Sequence, residues 1–333
     1  MTIPSNYAPG MDIRQTEVAI KQVKDHFQRA LARGLNLTRV SAPLFVRPES
    51  GLNDDLNGVE RPVRFDMKSL HGGEVEVVHS LAKWKRMSLK RYGFRPGEGI
   101  YTDMNAIRRD EDVDNLHSVY VDQWDWEKVI TPGMRGVETL QDTVRTVYAC
   151  IRDTEQYICG LYPQVKQVLP EEIYFLTAQE LLDLYPNKTA KEREYAVTKE
   201  HGAVFLMGIG GKLSNGEPHD GRAPDYDDWS LNGDILVYAP VIDTVIELSS
   251  MGIRVDAGTL ERQLKIAGCE ERAKREFHAS LLAGELPQTI GGGIGQSRLC
   301  MMLLHRAHIG EVQASVWPQS ELDRLKDYHI ELL

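Results

Sequence analysis

Cysteine is scarce in this sequence. Only Cys150, Cys159, Cys269 and Cys300 occur in 333 residues, far apart and with no C-x-x-C pair. That spacing offers no zinc site, and so few cysteines in so long a chain point to reduced thiols and a cytoplasmic setting. Basic charge is short too: 39 Lys and Arg stand against 49 Asp and Glu, a formal net charge of −10. Long nucleic-acid surfaces want basic stripes, so no nucleic-acid partner is expected. No apolar run approaches the roughly 20 residues of a membrane-crossing helix. Residues 1–10 show neither the basic nor the apolar part of an export signal. No repeat, low-complexity tract or long Pro/Gly/Ser linker divides the chain, and residues 1–333 are expected to form one domain with a sizeable core.

What is present is a mixture of helical and strand patterns. Ile20, Val23, Phe27 and Leu31 follow helical spacing, with a stop expected at Gly34. Residues 37–46 read as a short strand interrupted by Pro43. Strands are also expected at 74–78, 118–126, 203–208, 234–238, 244–250 and 289–292. A helical run opens at Ser80, and a long helix is carried by Leu140, Val144, Val147 and Ile151. Further helices are expected at 179–184, 190–200, near Leu260, at 272–282 and at 296–305. Hairpin-like neighbours outnumber simple βαβ units. The expected fold is therefore α/β of the α+β kind, a mixed, largely antiparallel sheet flanked by helices.

Three groups of residues carry chemistry. In the first, Arg108 and Arg109 end a strand, an acidic loop follows at 110–114, and His117 leads into the next strand. A guanidinium fork at a strand end suits a phosphate. Period two puts Gln123 and Asp125 on one face, a pair able to hold an amino group or amide. The loop acids read more simply as a solvated hairpin tip. The second group, residues 291–298, holds Gly293, Gly295 and Arg298 at the mouth of an apolar helix, where a phosphate is favoured. It fails the Rossmann spacing, because Gln296 and Arg298 fall where the last glycine belongs. The third is Asp234 with the run Glu247, Leu248, Ser249, Ser250. Two converging carboxylates would suit Mg²⁺, but the residues alone fit two edge-strand acids facing water equally well. The acid-rich stretch 223–229 is open in the same way. The run 208–214 imitates a P-loop, but Leu206 and Leu213 occupy the positions of its first glycine and its Ser or Thr, so a tight turn is expected instead.

Together these parts resemble the class II aminoacyl-tRNA synthetases. Arg108, the acidic loop, His117 and the strand after it look like that superfamily's second motif; the glycine run ending in Arg298 looks like its third. The first helix with the strand carrying Pro43 resembles the first motif, which implies a homodimer. A closer resemblance, over nearly the whole chain, is to the ammonia-dependent aspartate–ammonia ligases. It is carried by residues 79–86, 117–126, 208–214, 222–229, 247–254 and 287–298. It implies a cytoplasmic enzyme that makes asparagine from L-aspartate, ammonia and ATP through β-aspartyl-AMP, with Mg²⁺ accompanying ATP. Arg108 and His117, with Gly293, Gly295 and Arg298, would bind the nucleotide. Asp234 and Glu247 would carry the metal. Lys85, Gln123, Asp54, Asp125, Asp227, Ser249, Ser250 and Arg254 would surround the amino acid. Without the resemblance, Lys85 and Asp54 read as a solvated helix lysine and a turn-forming acid. One departure is expected: the family carries about ten more residues between Trp229 and Leu231, a difference that bears on Asp227 and Trp229. A true tRNA synthetase is the rival reading, opposed by the acidic balance and by the lack of room for an anticodon-binding domain. The absence of any cysteine before Cys150 speaks for free ammonia rather than glutamine as nitrogen donor.

Overall fold

The strand expected at 118–126 forms as Tyr120–Val129 and divides the molecule into two sides. Trp124 and Trp126 point one way into the main core, and Phe27 packs on Trp124 at a centroid distance of 4.7 Å. Gln123, Asp125 and Glu127 point the other way by the two-residue period.

The computed structural model describes residues 3–56 and 58–333. In chain order its elements begin with α1 (Ile13–Leu35), β1 (Leu37–Arg39), β2 (Phe45–Val46), β3 (Arg64–Met67), β4 (Gly73–Val77) and α2 (Ala82–Tyr92). There follow β5 (Gly99–Ile107), β6 (Tyr120–Val129), α3 (Val137–Leu161), β7 (Tyr174–Thr177), α4 (Ala178–Leu184), α5 (Ala190–His201) and β8 (Ala203–Met207). The chain closes with β9 (Asp227–Ala239), β10 (Thr244–Arg254), α6 (Ala257–Ile266), α7 (Glu276–Leu282), β11 (Thr289–Gly295), α8 (Gln296–Leu303) and α9 (Gln319–Lys326).

Eight strands form one sheet in the order β1-β5-β6-β11-β10-β9-β8-β7, and β2-β4-β3 form a small second one. Within the large sheet only the end pairs β1·β5 and β7·β8 are parallel, so the expected mixed, largely antiparallel fold is the one observed. Helices α1 and α3 contribute the buried residues Val23, Phe27, Leu31, Val144, Val147 and Ile151 to the core beneath the sheet. The other side of the sheet carries the polar residues. Among the described residues no helix is long and apolar enough to cross a membrane, and all four cysteines are free.

Three expectations need correction. Asn36, not Gly34, makes the left-handed stop of α1, at φ 58°, a conformation Asn tolerates. Gly34 serves packing instead: a Cβ there would stand 3.1 Å from Thr146 and 3.2 Å from Cys150 of α3. Residues 37–46 are not one strand. Leu37–Arg39 joins the large sheet and Phe45–Val46 the small one, with Pro43 in the link, where its missing N–H costs no ladder bond. Finally, the strand expected at 289–292 does not stop there: it runs on to Gly295, so the whole glycine run belongs to β11, between β6 and β10.

Candidate active site

The floor of the site is a strand whose polar-facing side is bare. Gly291, Gly293 and Gly295 stand opposite Glu127, Asp125 and Gln123 of β6. None of the three has a positive φ, so they supply space rather than conformational freedom. A Cβ on Gly291 would run into the Glu127 carboxylate and come within 2.5 Å of Arg254 Nη2; one on Gly293 would run into the Gln123 amide. Side chains from both neighbouring strands therefore lie over β11.

A buried ion network fills that space. Arg254 of β10 donates to Glu127 through Nε at 3.0 Å and Nη2 at 2.8 Å, and its Nη1 ion-pairs with Asp227 of β9. Lys85 of α2 is fully buried; it ion-pairs with Asp125, donates to the Trp126 carbonyl at 2.8 Å and lies 3.7 Å from Glu127. Burial lowers the Lys85 pKa against the pull of Asp125 and Glu127. Burial would raise Glu127, but Arg254 and Lys85 outweigh it and hold the carboxyl below its usual range. Asp227 goes the other way, pushed up by burial despite Arg254. Burial likewise raises Asp54, whose Oδ1 accepts the Leu56 N–H at 2.8 Å.

Two irregularities in the β9·β10 pairing aim the remaining groups. Glu247 pairs with Leu236 and Ser249 with Ile235, which leaves Leu248 as an extra residue. Such a bulge reverses the side-chain parity on one side of it. Glu247 thereby shares a face with Ser250 and with Asp234, which stands opposite Ser250. Asp234 ion-pairs with Arg222, while its Oδ1 is buried without a hydrogen-bond partner. Burial first, then the nearby Glu247, push Asp234 up to about 7 against the pull of Arg222. Glu247 itself is held low: burial opposes ionisation, but Arg298, Arg222, Lys191 and Arg108 surround it. These two acids belong to inner strands of the sheet, so the edge-strand reading of them falls.

Three adjoining hollows open over this floor. One of about 270 Å³ is lined by Arg108, His117, Gln123, Ser249, Gly293, Gly295 and Arg298 among others. A second, of about 350 Å³, runs past Arg61, Arg109, Arg222 and Ser250. The third and smallest, about 110 Å³, is enclosed by Asp54, Gln123, Asp125, Tyr226, Asp227, Ser250 and Arg254. Arg108 and Glu247 line all three. Arg108 follows β5 directly, its N–H held by the Val119 carbonyl at 2.9 Å, and its Nε lacks a hydrogen-bond partner. Ser249 Oγ is likewise buried and unpartnered.

The structure thus gathers the sequence-nominated residues into one cleft, with three shifts of place. Lys85 stands behind Asp125 rather than on the open surface, Asp234 stands behind Arg222, and Ser249, expected around the amino acid, lines the hollow of Arg298 and His117 and not the smallest one. The acidic loop is exposed at Asp110 and Asp112, as expected of a solvated tip, but its acids have partners: Asp110 accepts from Arg61 Nε at 3.1 Å, and Asp114 accepts from the Leu116 and His117 N–H groups and from His117 Nδ1 at 2.8 Å. The run 208–214 is a turn, pinned by two hydrogen bonds of 2.9 Å between Ile209 and the Asn232 amide. Sequence reading missed Glu127, Arg222 and Tyr226. Glu127 was within reach, being the next residue of the period that gave Gln123 and Asp125.

This sheet, with a cleft over its central antiparallel strands, defines the catalytic fold of the class II aminoacyl-tRNA synthetases. An Entamoeba histolytica asparaginyl-tRNA synthetase in complex with asparaginyl-adenylate superposes with a TM-score of 0.66 at 11% identity, over 90% of this chain and 66% of that one. The Pyrococcus horikoshii asparaginyl-tRNA synthetase complexed with asparaginyl-adenylate does so at 0.66 and 14%, over 91% and 70%. With that fold, the chain belongs to the aspartate–ammonia ligase family, whose profile matches residues 14–329. The aspartate–ammonia ligase of Ruminiclostridium cellulolyticum is 63% identical over 99% of this chain and 98% of its own. That of Clostridium perfringens strain SM101 is 61% identical over the same shares, and that of Fusobacterium nucleatum 60% identical over 98% and 99%. The alignment with the Ruminiclostridium cellulolyticum enzyme is 330 residues long and covers 99% of this chain, which leaves no room for the expected ten more residues after Trp229. In the structure residues 229–231 run on inside β9, where Asp227 pairs with Arg254 and Asn232 with Gly252 around a second irregularity.

Proposed function

We propose that this enzyme makes L-asparagine from L-aspartate, ammonia and ATP, with β-aspartyl-AMP as intermediate and AMP and pyrophosphate as products. The observation that carries this reading is the position of Arg108 at the junction of all three hollows. The nucleotide lies in the hollow of Arg298, His117, Gly293 and Gly295, and the amino acid in the small one. Asp54, Asp125 and Gln123 take its α-ammonium group there. Arg254, Asp227 and Ser250 complete the surrounding wall, Lys85 holds Asp125 in place, and Ser249 serves the nucleotide hollow that it lines. The β-carboxylate oxygen then attacks the α-phosphorus and pyrophosphate leaves; Arg108 neutralises charge that develops on the α-phosphate. Ammonia attacks the acyl carbon, AMP departs with the bonding electrons, and the nitrogen loses a proton. Alignment of two bound reactants supplies much of the acceleration.

Mg²⁺ accompanies ATP in this reading. The residues fit it: Asp234 has a buried oxygen without a partner, and Glu247 is close enough to raise the Asp234 pKa. A cation held by this pair would neutralise phosphate charge. The same reading takes the chain as one catalytic domain, 1–333, that works as a cytoplasmic homodimer and binds no nucleic acid, in line with its net charge of −10.

The test is turnover of ATP, Mg²⁺ and aspartate with either ammonium or glutamine, reading asparagine and AMP together. Both products from ammonium alone are expected. Pyrophosphate exchange without asparagine, together with charging of added tRNA, would move the assignment to a synthetase.

A further inference from the structure

Asp225 has no exposed surface, yet three nitrogen-bearing side chains converge on its Oδ2: the Lys83 ammonium of α2 at 3.0 Å, the His278 imidazole of α7 at 2.9 Å and the Arg272 guanidinium at 3.6 Å. Arg272 Nη1 also lies 3.3 Å from Asp55, which Arg275 holds from the other side at 2.9 Å. Asp225 directly precedes Tyr226 and Asp227, and Asp55 directly follows Asp54; all three of these neighbours line the smallest hollow. A buried carboxylate outside that hollow is therefore tied to two separate segments of its wall. Burying this much charge is a poor way to gain stability, since desolvation offsets most of the attraction. What it does supply is fixed geometry: a one-ångström misplacement of a binding group can matter more than a lost contact.

We infer that Asp225 and Arg272 are positioning residues: their bridge to Asp55 holds the two acid-bearing wall segments, 53–56 and 225–227, in register, and so sets affinity for the amino-acid substrate without touching it. This rests on reading the small hollow as the amino-acid site. Arg272 is the place to test it, because Arg272→Gln leaves Lys83 and His278 on Asp225 and the buried carboxylate stays paired. The variant should raise KM for aspartate roughly tenfold, with kcat and KM for ATP within about twofold. Arg272→Lys should restore most of the loss. Asp55→Asn should match Arg272→Gln, and the double variant should be no worse than either, as expected for two ends of one link. Backbone amides of residues 52–56 should exchange faster with deuterium in Arg272→Gln, a readout that needs no activity. If the wild type fails to make asparagine, the functional reading falls while the exchange measurement still decides the bridge. Unchanged exchange with unchanged aspartate KM would overturn the inference. So would an equal rise in the KM for ATP, which would mark a general structural defect.

Discussion

Asp125 and Gly293 stand directly opposite each other across β6 and β11, so the carboxylate has bare backbone beside it where a side chain would normally sit. The clearance is filled from the side, since a Cβ on Gly293 would meet the Gln123 amide. That amide is the far end of a flexible side chain, so Gly293→Ala should displace Gln123 rather than break the sheet. The expected result is a loss of about 10²-fold in kcat/KM for aspartate, with an unchanged circular dichroism spectrum and thermal midpoint. A variant of wild-type activity would show that the bare strand is not needed for substrate.

Arg108 tests the phosphate assignment. It lines all three hollows and its Nε has no partner to lose, so truncation should leave the fold intact. Arg108→Ala is expected to lower aspartate-dependent exchange of pyrophosphate into ATP by about 10²–10³-fold, the usual cost of removing one preorganised donor from a developing charge. Normal exchange in this variant would sink the assignment.

Lys85 behaves differently because it is a buried charge within a network. Lys85→Met would remove the cation between Asp125 and Glu127 and leave two buried carboxylates short of a partner. Breaking a buried pair from one side costs about 3–5 kcal/mol. Urea unfolding should therefore show a large drop in midpoint, along with loss of activity, whereas Arg108→Ala loses activity alone. A Lys85→Met protein as stable as wild type would mean that Asp125 or Glu127 takes up a proton without cost.

How much of this was legible beforehand follows from the range of each signal. The faces of β6 could be read, because Trp124 and Trp126 alternate with Gln123 and Asp125 inside one short segment. The helix spacing that placed Phe27 and Leu31 in the core was equally local. The strand of Gly291, Gly293 and Gly295 was read only as far as Gly292, since glycine weakens strands and has no side chain to reveal a facing. Its period of two makes sense only once Glu127, Asp125 and Gln123 are known to lie opposite. The bulge at Leu248 that turns Glu247 toward Asp234 is a property of pairing with β9, and no single segment encodes it. The same holds for Arg254 with Glu127 and for Asp225 with Lys83, whose partners lie 127 and 142 residues apart in the chain.

A pH dependence is built into the far end of the cleft. His308 is fully buried; its Nδ1 accepts the Gly310 N–H at 3.0 Å, so Nε2 carries the proton and donates to Glu321 of α9 at 3.0 Å. Burial lowers its pKa below the ordinary 6.5 despite Glu321 and Asp114, with Arg324 acting in the same direction as burial. Glu311, on the same turn, is engaged by Tyr7 and by the Ala307 and His308 N–H groups. In acid the unfolded chain takes up a proton that folded His308 resists. Its contribution to stability is therefore complete above 6.5 and declines as the pH falls through that value toward the lower folded one. Asn115, which accepts from Arg324 of α9 at 2.6 Å and donates to the Ala307 carbonyl at 3.0 Å, connects this region to His117 in the nucleotide hollow. Between about pH 7.5 and 5 the urea midpoint of wild type should fall more steeply than that of His308→Gln, which has no imidazole to titrate. KM for ATP should rise over the same interval in wild type. Parallel midpoint curves for the two proteins would show that His308 protonates as readily when folded as when unfolded.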